Sequence, residues 1–168
     1  MMLTAIRKRH LLGRIVIPIA VIAVACANAS GGAYSINVDH NDPAAVIQVA
    51  VQTLFSWQPG ADASPVDAFD RARPLMSASL AAQEVALTTA EAGSQWQQWA
   101  YDRTIITASA EILPDEHPED TADSARRVVA VTQTIADPGP SPQDGVHFTV
   151  WVTAVKTPDG WRVDSIQA

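Results

Sequence analysis

Val146-His147-Phe148-Thr149-Val150-Trp151-Val152-Thr153-Ala154-Val155 is the stretch on which the fold turns. Apolar residues at 146, 148, 150, 152 and 154 alternate with His147, Thr149, Trp151 and Thr153. A period of two puts successive side chains on opposite faces of a strand. Immediately afterwards Thr157-Pro158-Asp159-Gly160 supplies turn chemistry, and Trp161-Arg162-Val163-Asp164-Ser165-Ile166 returns as the second strand of a hairpin. Working backwards, Arg126 to Ile135 sets Val129, Val131 and Ile135 against Thr132 and Thr134, and Thr104 to Leu113 is rich in β-branched residues. The segments between these strands are acidic or proline-rich: Pro114-Asp115-Glu116-His117-Pro118-Glu119-Asp120 and Asp137-Pro138-Gly139-Pro140-Ser141-Pro142. The C-terminal half therefore reads as four antiparallel strands.

The half before it has a different period. Asp42-Pro43 is a helix start, since the carboxylate can cap unpaired N–H groups and proline fits the first turn. Val46, Val49, Ala50, Thr53, Leu54 and Trp57 recur at helical spacing, and the helix is expected to end near Trp57-Gln58-Pro59-Gly60. Ser64-Pro65 starts a second helix through Phe69 and Ala72, which stops before Pro74 because proline disfavours helical geometry in the preceding residue. A short third piece covers Ser79 to Leu87, and a polar stretch then leads to Gln95-Trp96-Gln97-Gln98-Trp99-Ala100. Helices first and strands afterwards give an α+β class, with N-terminal helices packed on a curved, mainly antiparallel four-stranded sheet.

Ahead of the domain lies one signal or anchor segment. Residues 1–32 comprise Arg7-Lys8-Arg9-His10, the apolar run Ile15 to Ala27 and a small polar tether; 33–41 read as a linker and 42–168 as an extracytoplasmic domain. The apolar run would span roughly 20 Å as a helix against a hydrocarbon layer of roughly 30 Å, which is signal-peptide length. Leu11 and Leu12 extend it, and Arg14 can snorkel, so a single spanning helix stays open. Ile22-Ala23-Val24-Ala25-Cys26 resembles a bacterial lipobox with Ala23 where leucine is usual, which implies lipid attachment at Cys26. Lipid anchor, uncleaved signal-anchor and cleavage after Ala29 are the three readings, and each exports the C-terminal domain to the far side of the cell membrane.

Charge and cysteine narrow the function classes. Outside the leader, seven basic residues face eighteen acids, a balance of −11. Such a field repels phosphate backbones, so direct nucleic-acid binding is not expected. With Cys26 in the leader, the domain has neither an internal disulfide nor a thiolate metal site, and no cofactor is implied.

The layout of anchor, helices and strands ending in Val150-Trp151-Val152 and Gly160-Trp161-Arg162-Val163 resembles the nuclear transport factor 2-like (cystatin-like) superfamily. Leu54-Phe55-Ser56-Trp57, Ala72-Arg73-Pro74-Leu75 and Val129-Ala130-Val131-Thr132-Gln133-Thr134 look like small, membrane-anchored, exported proteins of actinobacterial conjugative elements. Those are similar to the bitopic assembly subunit of type IV secretion and conjugation machines, whose exported domain binds partner subunits. The resemblance thus implies a non-enzymatic scaffold whose partners are the membrane and other envelope proteins, with homo-oligomerisation left open. A parallel family associated with lipid-uptake operons shares the architecture.

Candidate sites follow from chemistry. Enzymes of the same fold need a pocket carboxylate with tyrosine or histidine, which singles out Tyr101, Asp102 and His147; the structural reading is that Asp102 caps or turns the chain, Tyr101 packs and His147 faces solvent. His117 among Asp115, Glu116, Glu119 and Asp120 has prolines on both sides and lacks a ligand-loop pattern, so these acids read as a solvated loop or partner contact, with no metal expected. His40, between Asp39 and Asn41, is likewise expected to be solvated. Trp96 and Trp99 sit in a glutamine-rich segment: exposed, they would anchor an interface; packed, they are core.

Overall fold

The structure, a computed structural model, describes residues 37–83, 89–114, 117–136 and 143–168. The expected leader 1–32 and Cys26 lie outside the described residues. Helix α1 spans Pro43–Leu54, α2 Val66–Ala72, α3 Ala78–Ala81 and α4 Thr89–Asp102. Strands β1 Ile105–Leu113, β2 Ser124–Ala136, β3 Gln143–Thr157 and β4 Gly160–Gln167 pair antiparallel in the order β1-β2-β3-β4. The α+β arrangement expected from the two sequence periods is the one observed. Register shifts at Gln133/Ile135 and Thr153/Ala154 interrupt the ladder, and such bulges bend and twist a sheet.

Asp42 caps α1 as expected, whereas α2 has Pro65 at its cap position with no side-chain cap, and Ser64 bonds just ahead of it. Asp42 Oδ1 accepts from Ala44 N at 2.8 Å ahead of Pro43, and Ser64 Oγ accepts from Val66 N at 3.2 Å. Helix α2 gives way at Ala72 to a 3-10 turn, Arg73–Leu75, that contains Pro74. Two expectations change. Of the expected stripe Val46, Val49, Ala50, Thr53, Leu54 and Trp57, Val46 and Ala50 are buried and Val49 and Leu54 pack against the core, while Ile47 and Val51 are buried in addition because α1 is covered by α2 as well as by the sheet. The third helical piece is only Ala78–Ala81 among the described residues, whereas the segment around Trp96 belongs to a helix of 14 residues.

Helix α4 ends on Arg103, a non-glycine residue at φ 56°, with Thr104 N donating to Trp99 O at 2.9 Å. Carbonyls at the helix end are satisfied this way, and glycine is the residue that adopts the conformation without steric cost. Replacing Arg103 by glycine should therefore raise stability by about 1 kcal/mol in urea unfolding; a loss of stability would mean that the Arg103 side chain contributes more than its backbone costs.

The core lies between α1 and one face of the sheet, where Ile47 and Val51 join Ala110, Val129, Val131, Val150, Val152 and Val163. At the end of α1, Phe55 meets Phe148 of β3 edge-to-face at 5.0 Å, and both pack against this core. Gln133, buried beside them, donates from Nε2 to Phe55 O at 2.9 Å.

The expected linker boundary shifts. Val38 packs against the core, and His40 is clamped to the β3–β4 hairpin: its carbonyl accepts from Trp161 N at 2.7 Å and its Nδ1 accepts from Arg162 at 2.9 Å. Residues 38–41 thus belong to the domain, and His40 has a structural partner instead of lying free in solvent. Sequence periodicity could not find this, because one residue's carbonyl reaching a distant turn leaves no repeating pattern.

Both sheet edges are engaged. Along β1, Ile106 exchanges two backbone hydrogen bonds of 2.9 Å with Trp57, Ala108 N donates to Ser56 Oγ at 3.0 Å, and Gln48 Nε2 donates to Ala110 O at 2.8 Å. Along β4, Ser77 N donates to Val163 O at 2.7 Å and Ser77 Oγ donates to Asp164 at 2.6 Å. Filling an edge in this way removes the template on which another strand would add.

Candidate interaction face

The residues singled out in the sequence are not brought together. Tyr101 projects into solvent, 85% exposed, at the end of α4. Asp102 accepts from Gln98 Nε2 at 2.6 Å within the same helix. His147 lies exposed on β3, its Nδ1 2.9 Å from Thr132 Oγ1 across the strand pair. Asp102 and His147 each have a local partner and Tyr101 points to solvent, so no acid–base pair forms from them among the described residues, and the space between α1 and the sheet carries the Phe55–Phe148 contact.

The tryptophan pair also takes the packed alternative. Trp96 is buried, with its ring 6.2 Å from that of Trp57, and half-buried Trp99 lies 6.5 Å from the same ring. Trp57 is pinned to β1 by its backbone bridge and donates its indole N–H to Leu54 O at 3.0 Å. A three-indole cluster therefore seats α4 on the α1–β1 connection, and Trp96 is not available as a surface anchor. Of the two alternatives, the packed one describes Trp96, while Trp99 stays half-buried; the residue they cover, Trp57, lies far away in sequence.

In the acidic loop, Asp115 and Glu116 lie outside the described residues. Glu119 is exposed. Asp120 instead holds Arg127 in a two-pronged pair, Nη1 to Oδ1 at 2.5 Å and Nη2 to Oδ2 at 2.6 Å. Arg127 stands on the inward side of β2, its side chain only 10% exposed, and a guanidinium there needs a carboxylate partner. The hydrogen bonds from Arg127 pull the Asp120 carboxyl below its ordinary value, and the same bonds raise the Arg127 guanidinium. His117 Nδ1 sits 2.8 Å from Pro118 O. Among the described residues no group of three metal-binding side chains occurs.

The face of the sheet turned away from α1 carries what the sequence did not single out. Cross-strand register places Arg126, Thr153 and Ser165 in one row and Val128, Trp151 and Gln167 in the next. With His117 and Pro118 from the β1–β2 connection, these residues line a groove of about 480 Å³. Trp151 is 54% exposed within it, the most accessible tryptophan among the described residues. The alternation in Val146–Val155 already placed Trp151 opposite the core-facing valines; what it could not show was that Trp151 stays 54% exposed there among the described residues.

Among the described residues no helix is long and apolar enough to cross a membrane. The chain matches no known protein family and no curated protein sequence. Solved structures similar to it include an IcmL-like type IV secretion system protein from Legionella pneumophila, with a TM-score of 0.48 and 11% identity over 73% of this chain and 86% of that one. A periplasmic fragment of TraM gives 0.45 and 11% over 73% and 91%. CagV, a VirB8 homologue of the type IV secretion system of Helicobacter pylori, gives 0.42 and 15% over 73% and 95%. Likenesses at this level carry no argument about what the chain does.

Proposed function

We propose that this chain is a membrane-anchored, extracytoplasmic assembly subunit that works by binding other envelope proteins, and that the apparatus it serves is a conjugative, type IV secretion-like one. The observation that carries the binding role is the exposed Trp151 in its groove on the outer sheet face, in a domain whose two sheet edges are engaged and whose interior is packed. Large aromatic side chains concentrate binding energy at protein interfaces, and an exposed indole in a groove offers such an anchor. The conjugative context is supported by the resemblance of Leu54–Trp57, Ala72–Leu75 and Val129–Thr134 to exported proteins of conjugative elements. Anchoring is supported by the basic cluster and apolar run of the leader, with lipid attachment at Cys26 as one form of it.

Two measurements test this. In cells carrying the element, Trp151→Ala should cut both cross-linking to envelope proteins and transfer frequency at least tenfold, while the protein accumulates normally. Undiminished transfer in a strain lacking the gene would end the conjugative reading. Mass spectrometry of the membrane-extracted protein distinguishes the anchors: a lipid on Cys26 rejects the spanning helix, and an intact Met1 rejects lipoprotein processing.

A further inference from the structure

The partner's chemistry can be read from the cations of the domain. Of the seven basic residues outside the leader, Arg71 pairs with Asp62, Arg73 with Asp70 and Arg127 with Asp120. Arg162 donates to His40 and to Trp161 O, and the Lys156 ammonium lies 5.3 Å from the centre of the Trp161 ring. Arg126 is different: exposed on the outer face, its carbonyl accepts from Arg127 Nη1 at 2.7 Å, while its side chain forms no ion pair or hydrogen bond among the described residues. Arg103, the seventh, and Lys156 and Arg162, which also have no acidic partner among the described residues, do not line the groove.

Arg126 lines the groove beside Trp151. Its row continues through the hydroxyls of Thr153 and Ser165, and the row carrying Trp151 lies two residues further along the strands. Arg126 and Trp151 also sit on neighbouring strands, and such diagonal neighbours lie roughly 7 to 8 Å apart, close to the distance between alternate side chains of any extended chain. An unneutralised guanidinium and an exposed indole at that spacing match an extended peptide with a carboxylate two positions from a large apolar side chain. The carboxylate would take the fork of Arg126, and the apolar side chain would cover the indole.

Resting on the reading of the chain as a protein-binding subunit, we infer that the Arg126–Trp151 groove takes an acidic, apolar-bearing extended segment of a partner protein. The balance of −11 outside the leader gives this selectivity. Elsewhere on the domain an acidic segment meets like charge, and at physiological salt charges interact only over about 8 Å, so the local guanidinium decides where the segment settles. A basic segment would be drawn to the surface at large but would leave Arg126 unpaired in this groove.

The test pans a random peptide library on the full-length chain held in detergent micelles. Enriched peptides are expected to carry Asp or Glu two positions from Leu, Phe or Trp, to bind about tenfold more weakly to Arg126→Ala and to Trp151→Ala, and to lose affinity as salt rises. Arg126 is exposed and unpartnered, so Arg126→Ala keeps the experiment decisive should Trp151→Ala lower stability. Enrichment of neutral or basic peptides, or equal affinity for Arg126→Ala, overturns the inference. Self-association of the chain that Trp151→Ala abolishes would assign the face to a second copy and overturn it too. If no acidic peptide is enriched yet Trp151→Ala still abolishes cross-linking in cells, the partner chemistry fails while the binding role stands. If cross-linking is also unaffected, both fail.

Discussion

Gly160→Ala should cost about 3 kcal/mol of stability and lower the melting temperature by roughly 10 °C. Two effects add. Gly160 sits at φ 104° in the turn between β3 and β4, a conformation that side-chain-bearing residues rarely adopt. A Cβ there would also meet His40 O at 2.6 Å and His40 Cβ at 2.7 Å. Because that same carbonyl accepts from Trp161 N, the contact cannot be relieved without breaking the bond that fastens residues 38–41 to the hairpin. Limited proteolysis should then cut ahead of Asp42 in the variant well before the parent is cut there. Thr157→Val removes the 2.7 Å hydrogen bond to Gly160 O without touching the clamp, and should cost far less. A Gly160→Ala protein that unfolds at the parent's urea midpoint would show that the turn and the clamp are not coupled.

Asp120→Ala should cost about 2 kcal/mol, less than the loss expected for a fully buried pair because the Asp120 side chain is 36% exposed to solvent that screens it. Most of the loss comes from leaving Arg127 desolvated without a carboxylate. The double variant Asp120→Ala, Arg127→Met should accordingly recover most of it, since an apolar side chain of similar length suits the inward side of β2. The pair also sets a pH dependence. Folding lowers the Asp120 carboxyl through hydrogen bonds from Arg127, against an opposing contribution from burial. Its contribution is fully present above the ordinary carboxylate value near about 4 and disappears as pH falls through the lower folded value. The stability gap between parent and Asp120→Ala should therefore be constant at neutral pH and narrow on acidification below pH of about 4. A gap that stays constant down to acid unfolding would show that the contribution of Asp120 does not depend on its ionisation.

How far the site was legible depended on whether its parts were local. The alternation of Val146–Val155 identified the strand and sent Trp151 to the face opposite Val150 and Val152. The acidic loop was legible as composition, but composition does not distinguish Asp120, spent on Arg127, from Glu119, which stands free of the strand beside it. For Trp96 and Trp99 the polar segment leaves interface and core both open, because their partner Trp57 lies on the far side of two helices in the sequence. Arg126 was passed over, because an unpaired charge can be recognised only once the pairing of all the others is known.

The sequence by itself determined the class of fold, the helix starts at Asp42 and Ser64, the β3–β4 hairpin and the acidic balance of the domain, since each depends on residues within a few positions of one another or on a simple sum. Only the tertiary structure decided that His40 closes the hairpin, that Ser56, Gln48 and Ser77 bond to the sheet edges, and that the Arg126 side chain beside Trp151 has no acid partner among the described residues. Those are contacts between residues far apart in the chain, and which ones form is settled by how the packed helices and the bent sheet bring distant backbones together.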